Sequence, residues 1–142
     1  MTALLAVAAV VAFAPMGGEG FEISVNNRTV IQRFGSHISE TSTLQLNEHS
    51  PADRISIAYH HCGKVGKNRI LTFRDSKDRL VKEWRFPDTN ASFGVMVCTT
   101  GDILSLLKPG NTVLKLYYSS AELPLGRLLT SVTTVNNSVA KQ

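Results

Sequence analysis

Apolar and polar residues alternate with a period of two in short bursts, each closed by residues that favour turns, and this is the signature of β-strands. From Phe21 to Val25 the apolar positions Phe21, Ile23 and Val25 alternate with Glu22 and Ser24. Asn26, Asn27 and Arg28 then turn the chain into Thr29 to Phe34. Asparagine tolerates the positive φ of a tight hairpin turn, so a first hairpin is predicted here. Strands follow over Ser42 to Leu46 and over Arg54 to Tyr59, where Ile55, Ile57 and Tyr59 share one face, and Gly63 to Gly66 reads as a loop. Two more strands, Arg69 to Arg74 and Arg79 to Phe86, flank the polar turn Asp75 to Asp78. On the second of them Leu80, Lys82, Trp84 and Phe86 take one face and Val81, Glu83 and Arg85 the other.

Phe93 to Cys98 reads as a strand partly buried on both faces. Thr99 to Asp102 offers N-cap chemistry for a single helical turn, Ile103 to Lys108, which Pro109 and Gly110 stop. Thr112 to Ser119 returns as a strand with Leu114, Leu116 and Tyr118 inward. A loop around Pro124 and Gly126 leads to a last strand, Arg127 to Val135, and a polar tail, Asn136 to Gln142. About eight or nine short strands spaced near ten residues predict an all-β fold, a single antiparallel β-sandwich of jelly-roll or immunoglobulin-like type.

The first 14 residues, Met1 to Ala14, carry no charge. Their apolar run of about 11 residues is short of the roughly 20 that span a bilayer, so it reads as an export signal. The segment lacks Lys and Arg, and its small-x-small site Ala12-Phe13-Ala14 is followed by Pro15, which moves the expected cleavage toward Gly17 to Gly20. The competing reading is an apolar strand or buried helix of an intracellular domain. With residues 1–18 taken as signal, residues 19–135 form one domain of ordinary size, secreted or periplasmic, with no membrane span after processing. Two cysteines, Cys62 and Cys98, agree with that compartment and are expected to pair. The bridge would close a loop of roughly 37 residues and stabilise by roughly 3–4 kcal/mol.

The net charge of +4 is concentrated between Lys64 and Arg85, where eight cations face three acids. Such a segment attracts anionic partners, or forms the solvated face of a hairpin. Arg74, Lys82 and Arg85 are the candidate contact residues within it.

The run from Gly101 to Leu116 is a helical turn, a Pro-Gly-Asn stop at Pro109 to Asn111, and a strand. It resembles a passage common in galactose-binding-like jelly-roll domains, which implies a jelly-roll topology and carbohydrate binding. The hairpin Ile70 to Phe86 is similar to those of short secreted immunoglobulin-like modules.

Chemistry is sparse. His60, His61 and Cys62, with Cys98, supply nitrogen and sulfur ligand types, but His60 and His61 are adjacent and point to opposite faces of a strand, and an oxidised Cys62 offers no thiolate. There is no G-x-S-x-G or Ser-x-x-Lys motif, and Gly63 to Lys67 lacks the spacing of a phosphate-binding loop. No cofactor motif is present, and neither catalysis nor nucleic-acid binding is expected. Trp84, with Tyr59, Tyr117 and Tyr118, would form a sugar-stacking platform if exposed. Asn27, Asn90 and Asn136 head glycosylation acceptor patterns. The expected function is binding, to a protein or a glycan at a cell surface or in the periplasm. The alternatives are a carbohydrate-binding module, and a metal-binding protein or small enzyme centred on His60, His61 and Cys62.

Overall fold

The computed structural model describes residues 18–91 and 94–135. Residues 1–17, which hold nearly all of the segment read as an export signal, together with the sequon residue Ser92, Phe93 and the tail from Asn136, lie outside the described residues. Ten strands and one short helix follow in order: β1 (Gly20–Val25), β2 (Arg28–Phe34), β3 (Thr43–Leu46), β4 (Arg54–His61), β5 (Lys64–Val65), β6 (Arg69–Arg74), β7 (Leu80–Phe86), β8 (Met96–Thr99), α1 (Thr100–Leu104), β9 (Leu114–Ser120) and β10 (Leu123–Thr134). Among the described residues no helix is long and apolar enough to cross a membrane.

The strands form two sheets. The first has the order β2-β1-β4, and the far edge of β4 is shared by β8, opposite Arg54 to Ile57, and β5, opposite His60 and His61. The second has the order β3-β10-β9-β6-β7. The chain thus is a β-sandwich, as the alternation predicts. With β1-β4-β8 on one sheet and β10-β9-β6-β7 on the other, it follows the A-B-E and G-F-C-C′ arrangement of immunoglobulin-type sandwiches.

The first hairpin forms as read: Asn26 and Asn27 adopt φ of 50° and 64°, and β1 pairs antiparallel with β2. Asn26 does more than turn. Its amide donates to Asp53 and its carbonyl accepts from the Arg54 N–H, which ties the turn to the start of β4. Thr99 caps α1 in a capping box with Asp102, so a helical turn is present, but over Thr100–Leu104, earlier in the chain than the Ile103 to Lys108 read from the sequence.

Four elements differ from the sequence reading. β3 pairs parallel with β10, because the chain leaves β2 through a turn at Gly35–His37 and crosses to the other sheet; alternation fixes a face, not a direction. A two-residue strand, β5, occupies part of the expected loop at Gly63 to Gly66. The strand expected from Phe93 begins only at Met96: β8 buries Met96 and Cys98, while Val97 within it and Val95 before it are 37% and 45% exposed. Pro124 and Gly126 lie inside β10, whose register shifts between Leu123 and Arg127 mark a bulge, and Gly126 takes φ of 78° there.

The core is made by the inward face of each sheet: Phe21, Ile23, Ile55, Ile57 and Tyr59 meet Leu71, Phe73, Leu114, Leu116, Tyr118 and Val132, all essentially inaccessible. Each such burial is worth roughly 1.5–3 kcal/mol. The two sheets touch through Tyr59 and Tyr118, whose rings stack at 4.1 Å between centroids.

Candidate functional site

The inward positions of β4 run Ile55, Ile57, Tyr59, His61, and those of β9 run Leu114, Leu116, Tyr118, Ser120. Both series change from aliphatic to polar toward the same end of the sandwich. There Tyr59 donates its hydroxyl to Glu19 at 2.6 Å and accepts from the Arg127 guanidinium at 2.9 Å, while Arg127 and Glu19 pair at 3.3 Å. His61 Nε2 lies 2.9 Å from the Tyr118 hydroxyl and 3.1 Å from that of Ser120. His61 Nδ1 has no hydrogen-bond partner and is 3.9 Å from Glu19 Oε1.

Burial governs the protonation of this cluster. It is the main cause that holds the His61 pKa below its usual 6.5; Glu19 and Glu122 oppose it and Arg127 adds to it. Burial likewise raises the phenols of Tyr59 and Tyr118. Burial thus favours the neutral ring, and the Glu19 carboxylate beside Nδ1 favours the neutral ring's proton there, so that Nε2 faces the two hydroxyls.

Over this cluster runs a strap, residues 62–68. A Cβ on Gly66 would stand 2.5 Å from Tyr118 Oη, 2.9 Å from His61 Nε2 and 3.0 Å from Glu122 Oε2, so only glycine allows the backbone this close. The Lys67 N–H donates to both carboxylate oxygens of Glu122, at 3.2 and 3.0 Å, and the Ala121 N–H donates to the Lys67 carbonyl at 2.8 Å. Glu19, His61 and Ser120 have the composition of an acid–histidine–serine relay. In the closed arrangement Ser120 is 5% exposed and shares Nε2 with Tyr118, so its hydroxyl serves the network and is not presented to a substrate.

The residues singled out from sequence do not form one site. His61 faces the core and His60 the opposite, outer face, as strand alternation requires. Among the described residues no three His, Cys, Asp or Glu side chains gather as metal ligands. The expected disulfide is not formed: Cys98 pairs opposite Ile55 near one end of β4, whereas Cys62 follows His61 at the other end. Seven strand positions separate them by roughly 20 Å, against the roughly 4.4–6.8 Å between Cα atoms that a bridge requires. Cys98 is buried in the core, which pushes its thiol up to about 12.

The basic segment is likewise dispersed. Arg74 and Arg85 lie on the outer face of the second sheet, while Lys82 and Trp84 lie on the inner face, opposite Phe73 and Leu71. Arg74 sits over the Tyr117 ring and bonds to the Asp78 carbonyl, Arg85 pairs with Glu83 at 2.8 Å, and Arg79 pairs with Asp75 at 2.9 Å. Arg69 is buried and donates to the carbonyls of Gly94 and Pro87. Trp84 is half-buried, edge-on to Phe73 at 5.2 Å between centroids, which sets its ring against the core instead of offering it as a sugar platform.

A further opening lies elsewhere. A cleft of about 570 Å³ separates the edge strands β2 and β3, with Ile31, Leu44 and Leu46 as its apolar floor and Arg28, Thr43 and Gln45 on its rim. Among the described residues each strand pairs on one side only, so both present an unpaired backbone edge to the cleft. Sequence reasoning missed the cleft, because it depends on which strands end up at sheet edges. It also missed Glu19, Tyr118, Ser120 and Arg127 as a cluster. A signal for the latter existed: His61 and Ser120 continue inward-facing alternations that begin with aliphatic residues. No family model matches this chain, and neither a curated protein nor a solved structure matches it.

Proposed function

We propose that the protein is an exported binding module that captures an extended polypeptide segment of a partner protein in the cleft between β2 and β3. The observation that carries this reading is the cleft itself, an apolar floor flanked by two strand edges. A row of unpaired backbone N–H and C=O groups is best satisfied by another strand, which pairs through its main chain and places alternate side chains on the apolar floor. Arg28 at the rim adds a cation for a carboxylate near one end of that segment. The exported location is read from Met1 to Ala14. The basic hairpin is the weaker contact surface, since Arg74, Arg79 and Arg85 already have partners within the chain.

Selection of random displayed peptides against the purified chain tests the reading. We expect enriched peptides with apolar residues at alternate positions, whose binding Val30→Asp weakens at least about tenfold. Val30 is 47% exposed on β2, so the fold tolerates the change, and Leu80→Asp on the opposite edge strand β7 serves as the control. Failure to enrich any peptide, or binding that Leu80→Asp removes and Val30→Asp spares, overturns the proposal.

A further inference from the structure

The polar end of the core holds a histidine in surroundings that, on balance, favour its neutral state. His61 is 9% exposed, and its Nε2 lies within hydrogen-bond distance of the hydroxyls of Tyr118 and Ser120. The strap above it pairs with β4 only through Lys64 and Val65, opposite His61 and His60, and its remainder is held by bonds outside the sheet ladders: Lys67 N–H to the Glu122 carboxylate, Ala121 N–H to the Lys67 carbonyl and Asn68 N–H to the Asp88 carboxylate. At the point of contact the strap leaves no room for a side chain, since a Cβ on Gly66 would overlap Tyr118 Oη and His61 Nε2.

We propose that His61 is a proton-operated latch: the strap of residues 62–68 stays closed over a neutral ring and opens when the ring takes a proton, uncovering His61, Tyr118 and Ser120. Protonation makes Nε2 a donor, so the hydroxyl protons of Tyr118 and Ser120 must turn away and their oxygens accept in their place, and it puts a charge where water is excluded. The groups facing the ring are Glu19 ahead of β1, Tyr59 beside it on β4, Tyr118 and Ser120 on β9, Glu122 on the β9–β10 turn and Arg127 on β10, and Arg69 at the start of β6 acts on Tyr118. His60 precedes it on the other face of β4. Two carboxylates attract the added proton and Arg127 repels it, but neither carboxylate is within hydrogen-bond reach of Nδ1, the nearer being the 3.9 Å contact to Glu19, and burial prevails.

The direction with pH follows. A histidine that titrates below its usual value in the closed state binds protons preferentially when open, so closure is fully stable above the ordinary histidine pKa and weakens as pH falls below it. Outside the cell, where pH varies more than in cytoplasm, such a latch would couple acidification to exposure of a serine, a tyrosine and a histidine.

Amide hydrogen exchange at about pH 7.5 and about pH 5, with rates normalised to the intrinsic exchange of each amide, reads the latch directly. We expect the amides of residues 64–68 and 121–123 to become several-fold less protected at the lower pH, while those of Leu71, Phe73 and Leu116 in the central ladder do not change. His61→Asn keeps a donor and an acceptor but does not titrate, and the response should vanish in it. A response that persists in His61→Asn, or that Glu122→Gln alone abolishes, assigns the effect to another group and overturns the proposal, as does the absence of any response. If His61→Asn does not fold, the wild-type His61 ring resonance and the strap amides must titrate with one midpoint, and separate midpoints overturn it.

Discussion

The two ends of this sandwich are built on different principles, although the same strands run through both. At one end Ile55, Leu114, Val132, Ile103 and Leu46 close the core with aliphatic groups, none more than 2% exposed. Their contacts are non-directional, so stability depends on volume and area. At the other end Glu19, Tyr59, His61, Tyr118, Ser120 and Arg127 fill similar space with groups that must be oriented and paired. A buried polar network adds little net stability when satisfied and costs much when one partner is lost. The aliphatic end therefore holds the fold, and the polar end is where a change in one proton or one hydroxyl has a structural consequence.

Truncation in the aliphatic region gives the largest expected effect. Phe73 is fully buried and packs against Trp84, and Phe73→Ala should lower unfolding free energy by about 3–5 kcal/mol in urea titration. Tyr118→Phe sharpens the contrast: it keeps the stack on Tyr59 and removes one hydroxyl, leaving Ser120 to satisfy His61. Its expected cost is about 0.5–1.5 kcal/mol in the same titration. A Tyr118→Phe loss as large as that of Phe73→Ala would mean that the polar network, not the aliphatic core, determines stability, and the division between the two ends would fail.

The same division explains what could be read from the chain. The aliphatic end was legible because Ile55 and Ile57, or Leu114 and Leu116, announce an inward face by alternation alone, and the Asn26-Asn27 turn and the Thr99 cap follow from local backbone chemistry. The polar end was not, because its members are far apart in sequence: Arg127 meets Tyr59 and Glu19, and Ser120 meets His61, only after two sheets have stacked. The parallel pairing of β3 with β10 and the cleft beside it were hidden for the same reason. Position in a sheet, at the centre or at the edge, is a property of topology, and a period of two carries no information about it.

The smallest expected effect is none at all, and it tests the division along its length. Cys98 belongs to the aliphatic end, buried beside Ile55, and Cys62 lies beyond the polar end where the strap begins. If the strands hold their register, β4 keeps the two sulfurs apart, and adding a thiol reductant should leave the midpoint of thermal unfolding unchanged. A bridge between them would contribute roughly 3–4 kcal/mol, which corresponds to a drop in midpoint on reduction of more than about 10 °C for a domain of this size. Such a drop would require β4 to be bent or re-registered so that its ends approach. That rearrangement would also remove the alternation that turns Ile55, Ile57, Tyr59 and His61 to one side. An unchanged midpoint therefore supports more than the absence of a bridge: it supports the straight β4 on which the separation of the two ends depends.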